Sequence, residues 1–227
     1  MNLPVSLRAK AYESFRQQIL EANIRPGQFI SQRELVQLLD MPLGAVRELI
    51  PRLEAEGLLK TVPQRGLQIA HVDLALINNA FQLRLVLERE AALRFTATVS
   101  DTDLAAIEDA HLRIVERGRQ GPIDAQLLTD AQTVDWGLHD MMIDALNNTL
   151  ISEIYRVNSL RVRLIRLERA MLSEDALVPA MEEHLWFIEA LKRRDAPQVA
   201  ARLTHHIESA HRRVLGLPRP PLPQDAS

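Results

Sequence analysis

Cysteine is absent from the 227 residues of this chain. Disulfide bonds, thiolate nucleophiles and cysteine-ligated zinc sites are therefore excluded, and any metal ion must be bound by nitrogen and oxygen atoms. Aromatic residues make up only 4% of the chain, which favours helices over a β-sandwich or β-barrel. The longest stretch without a charged residue, 74–83, is too short to span a membrane, and the N-terminus lacks the apolar core of a signal peptide. We therefore expect a cytoplasmic protein.

Charge is distributed unevenly along the chain. Residues 1–70 carry nine Lys or Arg against seven Asp or Glu, and residues 71–227 carry eighteen against twenty-three. All seven histidines lie at or after position 71. Because the length is sufficient for two cores, we predict two domains, 1–70 and 71–217, and a proline-rich, disordered tail at 218–227.

The first seventy residues have the pattern of a winged helix-turn-helix. A capping box formed by Ser31 and Glu34 opens the second of three predicted helices. Two alternating runs around a glycine-containing turn then predict a hairpin, which would be the wing. The predicted helices are 6–23, 32–39 and 42–56, the hairpin strands are 58–62 and 67–70, and Phe29-Ile30 is a candidate short strand.

Three arginines lie at the exposed landmarks of this motif. Arg33 begins the first helix of the pair, Arg47 lies on the second, and Arg65 precedes Gly66 at the hairpin tip. The second helix of such a pair enters the major groove of DNA, and a basic wing reaches a neighbouring groove or phosphates. A single arginine is more often a solvated surface charge, but three at these landmarks favour DNA contacts by Arg33, Arg47, Arg65 and Gly66.

The runs at 24–30, 33–39, 46–59 and 64–66 resemble the GntR family of bacterial transcription regulators, over nearly all of residues 8–70. The resemblance implies a homodimeric repressor that binds operator DNA. Leu43 departs from the pattern, because the family commonly has a base-contacting arginine there. A leucine cannot form the bidentate guanine contact but can touch a thymine methyl group, so the usual base preference of the family is not carried over.

The remaining residues predict an all-α, antiparallel bundle of six helices, so the fold class is mainly α. Bundle cores are common places for metal and ligand sites. Apolar periodicity and helix-capping residues indicate helices at 73–97, 100–119, 125–146, 148–172, 176–194 and 196–216.

Helical periodicity places four polar side chains on the inward faces of three of these helices. Asp135 and His139 are four residues apart on one face, and His184 and His206 lie on the apolar stripes of the last two helices. His111 lies near an inward stripe and is a lesser candidate. A lone inward histidine is usually a hydrogen-bonded core residue, but four such groups together indicate a metal site. A purely structural polar network stays an alternative.

The same pattern resembles the FCD effector domain (the FadR C-terminal type) of GntR regulators, over about residues 73–215, in the subgroup with six helices. The resemblance implies that Asp135, His139, His184 and His206 bind a divalent metal. Three imidazoles and one carboxylate suit zinc, our first expectation, and also nickel, iron or manganese.

Two further residues are candidates for binding a small organic acid as the effector. Arg84 can clasp a carboxylate through two hydrogen bonds, or it can simply pair with Glu88 four residues along the helix. Asn148 can donate to the same ligand or cap the following helix. A metalloenzyme acting on a small carboxylate is the alternative function. We expect a regulator and not an enzyme, because no general base lies beside the proposed ligands and catalysis would leave residues 1–70 without a role.

Overall fold

The computed structural model describes residues 6–169 and 174–220. These residues confirm the predicted fold class, a winged helix-turn-helix followed by a bundle of six helices. The helices are α1 (Leu7–Leu20), α2 (Gln32–Leu39), α3 (Leu43–Ala55), α4 (Leu74–Thr98), α5 (Asp101–Gln120), α6 (Ala125–Asp144), α7 (Thr149–Arg169), α8 (Glu174–Lys192) and α9 (Ala196–Val214), and the strands are β1 (Phe29–Ile30), β2 (Leu59–Val62) and β3 (Gly66–Ile69).

The chain forms two compact units. The first contains the residues up to Ile77 together with Val157–Arg169, and the second contains Asn78–Arg156 with the residues that follow Arg169. The second half of α7 therefore belongs to the same unit as the winged helix-turn-helix. None of the described helices is long and apolar enough to cross a membrane.

Local hydrogen bonds explain the winged helix-turn-helix of the first unit. The predicted capping box is present, with Glu34 N donating to Ser31 Oγ at 3.1 Å and Ser31 N donating to Glu34 Oε2 at 2.7 Å. Asp40 ends α2 in the left-handed conformation, with φ of 50°. The candidate strand at Phe29–Ile30 is confirmed, because β1 pairs antiparallel with β3 and extends the hairpin to a sheet in the order β1-β3-β2.

The core of the first unit includes residues from a distant part of the sequence. Buried apolar side chains of α1, α2, α3 and the sheet pack with Leu160 and Leu164 of α7. Arg161 of α7 donates from Nη2 to the carbonyl oxygen of Glu56 at 2.6 Å, at the C-terminal cap of α3. The structure of the predicted recognition helix thus depends in part on α7.

The second unit packs α5, α6, α8 and α9 against one another. Close approach of α5 to α8 requires a glycine at position 118, because a Cβ atom there would lie 2.8 Å from Val178 Cγ2. The buried cluster at this contact consists of Ile114, Val115, Leu127, Ala131, Leu177 and Met181.

Predicted helix ends differ from the observed ends by a few residues. The first helix ends at Leu20, three residues before its predicted end, and Ala22 beyond it has a positive φ of 58°. The last helix ends at Val214 rather than 216. The predicted end of the fourth bundle helix at 172 and the predicted disorder of 221–227 lie outside the described residues.

Candidate metal centre and DNA-contact residues

Asp135, His139, His184 and His206 converge in the second unit, as the inward faces of α6, α8 and α9 predict. Each of the four is buried, and one ligand atom from each lies within 4.8 Å of every other. His184 Nε2 lies 3.0 Å from His206 Nε2 and 3.4 Å from Asp135 Oδ1. Atoms that share one ion through bonds of about 2.0–2.1 Å lie about 2.9–3.4 Å apart, so these separations suit a common ion.

The proton position on His139 follows from its contact with an arginine. Arg84 Nη2 lies 2.7 Å from His139 Nε2. A guanidinium only donates hydrogen bonds, so Nε2 carries the lone pair and the proton lies on Nδ1. That Nδ1 lies 2.8 Å from Glu88 Oε2, although the two atoms are not aligned as a hydrogen bond.

Glu88 is a charged group without solvent exposure. Burial raises the pKa of its carboxyl group, but the charge on Arg84 and the contact with His139 outweigh burial and bring that pKa to about 2. Arg84 Nε donates to Glu88 Oε1 at 2.6 Å. The predicted pair of Arg84 and Glu88 is therefore present, and Arg84 contacts the histidine cluster as well.

The proton position on His184 follows from a chain of two hydrogen bonds through His111. His111 Nδ1 lies 2.7 Å from the carbonyl oxygen of Ile107, and a carbonyl only accepts, so Nδ1 carries the proton. Burial lowers the pKa of His111, so the ring is neutral and its Nε2 is an acceptor. This Nε2 lies 3.0 Å from His184 Nδ1, which must donate to it. His184 Nε2 is left with a lone pair that faces the cluster.

A second buried carboxylate determines the proton position on His206. His206 Nδ1 lies 3.0 Å from Glu183 Oε2 and donates to it. Burial raises the pKa of Glu183, but hydrogen bonds from His206 and Ser209 and the charge on Arg213 outweigh it and bring that pKa to about 2. The carboxylate therefore accepts, and Nε2 of His206 also faces the cluster with a lone pair.

These assignments bear on the choice between a metal site and a purely structural network. Burial lowers the pKa of His184 well below its usual value and that of His206 to about 4, so each ring is neutral and has one N–H group. Their Nε2 atoms then face each other at 3.0 Å with no proton between them. Two opposed lone pairs in a buried site are unfavourable unless a cation lies between them. The residues therefore fit a divalent ion, and the donor set suits zinc, nickel, iron or manganese.

The sequence did not predict which side chains contact the Nδ1 atoms of the three candidate histidine ligands. Glu88, His111 and Glu183 each face the Nδ1 side of a different histidine, which is the usual arrangement around metal-binding histidines. Two of these positions were indicated by the sequence. Glu183 directly precedes His184, and Glu88 lies four residues after Arg84. His111 lies near an inward stripe and was a lesser candidate for the metal site, but its contact with His184 on another helix was not predicted.

Asn148 caps a helix at the surface. Its side-chain oxygen accepts from the backbone N–H groups of Leu150 at 3.1 Å and Ile151 at 3.2 Å. The side chain is exposed, unlike the buried cluster, so the structure does not bring it together with the four predicted ligands. Its effector-binding role stays a prediction.

The predicted DNA-contact arginines are all exposed in the first unit. Arg33 lies in the first turn of α2 and Arg47 on α3. The Arg65 guanidinium lies over the ring of Phe29, 3.9 Å from its centre. Gly66 has a φ of +91°, and a Cβ atom there would lie 3.0 Å from a backbone oxygen of β1, so this turn requires glycine. DNA contact by these four residues stays a prediction.

Two family models match the chain in succession. Residues 7–69 match "Bacterial regulatory proteins, gntR family", and residues 79–209 match "FCD domain". Among curated proteins, the chain is similar to the HTH-type transcriptional repressor RspR of Escherichia coli K12, with 23% identity over 92% of this chain and 89% of that protein. It is also similar to the Nta operon transcriptional regulator of Aminobacter aminovorans, with 24% identity over 87% of this chain and 89% of that protein.

Solved structures show the same fold. E. coli McbR/YncC superposes with a TM-score of 0.78 at 17% identity, over 93% of this chain and 98% of that one. A putative GntR regulator from Rhodococcus sp. RHA1 superposes with a TM-score of 0.76 at 20% identity, over 95% of this chain and 100% of that one. The matched families and relatives are transcriptional regulators and not enzymes, which confirms the predicted choice of a regulator over a metalloenzyme.

Proposed function

The chain belongs to the GntR family of bacterial transcription regulators and carries an FCD domain, and from this premise we propose that it is a metal-containing repressor released or recruited by a small organic acid. The observation that carries the proposal is the buried cluster, in which the Nε2 lone pairs of His184 and His206 face each other beside the Asp135 carboxylate, and His139 Nε2, now in contact with Arg84, lies within reach of the same ion. A divalent ion held by Asp135, His139, His184 and His206 would supply positive charge that attracts a carboxylate.

Charge balance supports an anionic effector. The cluster contains three neutral imidazoles and one carboxylate, so a divalent ion leaves a net charge of about +1 in a buried site. Glu88 already balances the charge on Arg84. A carboxylate from outside the protein would neutralise the remaining charge, whereas a neutral or cationic compound would not.

Arg84 is placed to take part in binding that carboxylate. Its guanidinium is buried, with 4% of the residue exposed, and Glu88 holds its Nε. Its Nη2 already contacts the histidine cluster. If an ion took the lone pair of His139 Nε2, Nη2 would lose this acceptor and would become a hydrogen-bond donor available to an acid bound at the same ion. Asn148 is a second proposed contact, supported only by its sequence position.

The first unit supports DNA binding by α3 and the wing. We propose that Arg33, Arg47, Arg65 and Gly66 contact the operator and that a homodimer presents two recognition helices. Two such helices one turn of DNA apart, about 34 Å, require a nearly palindromic operator. The name of RspR, a transcriptional repressor, supports repression over activation. A coupling of about 1–3 kcal/mol between acid and operator would change operator affinity about 5- to 150-fold.

Two variants and one control test the proposal. We expect Arg47→Ala to abolish specific binding to the promoter region of the protein's own gene while the purified protein keeps its metal content. We expect His184→Leu to lose stoichiometric metal, measured by inductively coupled plasma mass spectrometry, and to lose the response to organic acids. Arg113→Ala removes an exposed arginine on α5 that pairs with Asp109 and should change neither property.

Two results would contradict the proposal separately. Wild-type protein without stoichiometric metal, after loading with zinc, nickel, iron or manganese, would refute the metal centre. Normal operator affinity in Arg47→Ala would refute α3 as the recognition helix. Loss of affinity with rising salt is the expected signature of phosphate contacts in the wild-type complex.

A further inference from the structure

The segment after α9 turns back onto the buried carboxylate behind His206. Leu217 N donates to the carbonyl oxygen of Arg212 at 2.9 Å and Gly216 N to that of Arg213 at 3.0 Å. Gly216 has a φ of +69°. These two bonds around a left-handed glycine are the Schellman motif, which ends a helix and reverses the chain.

The reversal brings Arg219 to Glu183. Arg219 Nε donates to Glu183 Oε1 at 2.8 Å, and its Nη2 donates to the carbonyl oxygen of Pro179 at 3.2 Å. Arg212 Nε donates to the carbonyl oxygen of Pro218 at 2.9 Å and holds the segment in place. We call residues 217–219 the C-terminal clasp.

Glu183 needs donating partners such as Arg219 because its carboxylate is wholly buried. Its exposed fraction is 0%, and a buried carboxylate is stable only when charged or donating groups surround it. Ser209 Oγ donates to Glu183 Oε1 at 2.6 Å, and Arg213 approaches the same oxygen at 3.2 Å, so Arg219 makes the shorter of the two arginine contacts. The other oxygen of Glu183 accepts from His206. One carboxylate therefore connects the clasp to a proposed metal ligand.

We propose that Arg219 is a positioning residue of the metal centre, and that the C-terminal clasp orients His206 by holding Glu183. The inference rests on the proposed metal site. With Arg219 in place, Oε1 of Glu183 accepts a hydrogen bond from the C-terminal clasp, and Oε2 stays oriented toward His206 Nδ1. Without Arg219, Oε1 keeps the Ser209 hydroxyl, and among the described residues the only arginine left is Arg213, whose longer contacts are shared between both oxygens. The carboxylate can then turn, and the hydrogen bond to His206 is less well oriented. Removing a group bonded directly to a metal-binding histidine costs about 10- to 100-fold in metal affinity, and Arg219 lies one contact further out, so its loss should cost less, about 3- to 10-fold.

Two shortened chains and two substitutions of Arg219 test the clasp, and a substitution of Arg119 serves as the control. A chain ending after Leu217 and the variant Arg219→Gln should each bind zinc about 3- to 10-fold more weakly, measured by chelator competition. They should also alter the visible absorption spectrum of the cobalt(II)-loaded protein, which reports ligand geometry. A chain ending after Pro220 keeps Arg219 and should match the full chain. Arg219→Lys retains the charge and should recover part of the lost affinity.

Arg119→Gln is the matched control. Arg119 Nη2 pairs at 2.5 Å with Glu182, the residue next to Glu183, on the exposed side of α8. Its loss removes an arginine–carboxylate pair from the same helix without touching Glu183, so zinc affinity and the cobalt spectrum should not change.

The outcomes separate the clasp from the metal site itself. Wild-type zinc affinity and cobalt spectrum in both Arg219→Gln and the chain ending after Leu217 would overturn the role of the clasp and leave the metal site intact. Failure of the full chain to bind zinc or cobalt would overturn both proposals. Equal losses in Arg219→Gln and Arg119→Gln would also overturn the clasp, because the effect would not depend on Glu183.

Discussion

Replacing His111 tests the chain of hydrogen bonds that assigns the lone pair of His184. His111 is 1% exposed, and His111→Leu removes the acceptor that lies 3.0 Å from His184 Nδ1. A buried N–H group without a partner costs about 1–3 kcal/mol. His184 escapes that cost by moving its proton to Nε2, but the lone pair then no longer faces the cluster. By either route, we expect zinc affinity to fall about 10- to 100-fold, which is about 1.4–2.7 kcal/mol at 25 °C.

His111→Gln isolates the hydrogen bond from the loss of the ring. The side-chain oxygen of glutamine occupies nearly the position of Nε2 in histidine and accepts from His184 Nδ1, so we expect much of the affinity to be retained. Chelator competition on metal-stripped protein measures all the variants. His71→Leu removes an exposed histidine of the first unit and controls for adventitious zinc binding. Wild-type affinity in His111→Leu would refute the tautomer assignment, and equal losses in the leucine and glutamine variants would attribute the effect to packing.

Two stability predictions follow from burial in the second unit. The pKa values of His184 and His206 are lowered, the latter to about 4, so between about pH 6.5 and 4 the unfolded chain binds more protons than the folded one. The melting temperature of metal-free protein should therefore fall as pH is lowered through that window, and a constant value would contradict the assignment of neutral, buried rings. Gly118→Ala should destabilise the protein by about 1–3 kcal/mol in urea unfolding, because its Cβ would lie 2.8 Å from Val178 Cγ2. Gly137→Ala, with no atom within 4 Å of its Cβ, should stabilise the helix interior by about 0.5–1 kcal/mol, and similar effects of the two substitutions would refute the packing argument.

Helical periodicity was sufficient to place the four candidate ligands on the inward faces of their helices, and the FCD resemblance indicated that they belong to one site. Asp135 and His139 share a face of α6 because they are four residues apart. His206 and not His205 lies on the buried stripe of α9, as the apolar spacing of that helix predicts. Each of these inferences needs only the residues of one helix, which is why the sequence contained it.

Helical periodicity could not predict which residues of different helices contact each other. Periodicity indicates that Leu160 is buried, but not that it packs with the core of the winged unit instead of the bundle. His111 was only a lesser candidate from the sequence, because its contact with His184 depends on how α5 packs against α8. Arg219 lay in a segment whose proline content predicts disorder, and only the turn at Gly216 brings it to Glu183. All three depend on how elements pack, which no single helix encodes.

The three candidate histidine ligands differ in the group that faces their Nδ1 atoms. His139 and His206 face the carboxylates of Glu88 and Glu183, whereas His184 donates to the neutral ring of His111. A carboxylate that accepts from a histidine ligand raises the basicity of that ligand and strengthens its bond to a metal. A neutral imidazole in the same position raises the basicity of the ligand less. His184 is therefore the weakest donor of the three. Its partner His111 also lines a largely apolar cavity of about 310 Å³ between α5 and α6, whereas the other two partners are wholly buried. In the proposed metal centre, the bond to His184 would accordingly be the one in which a small change of structure alters metal binding most.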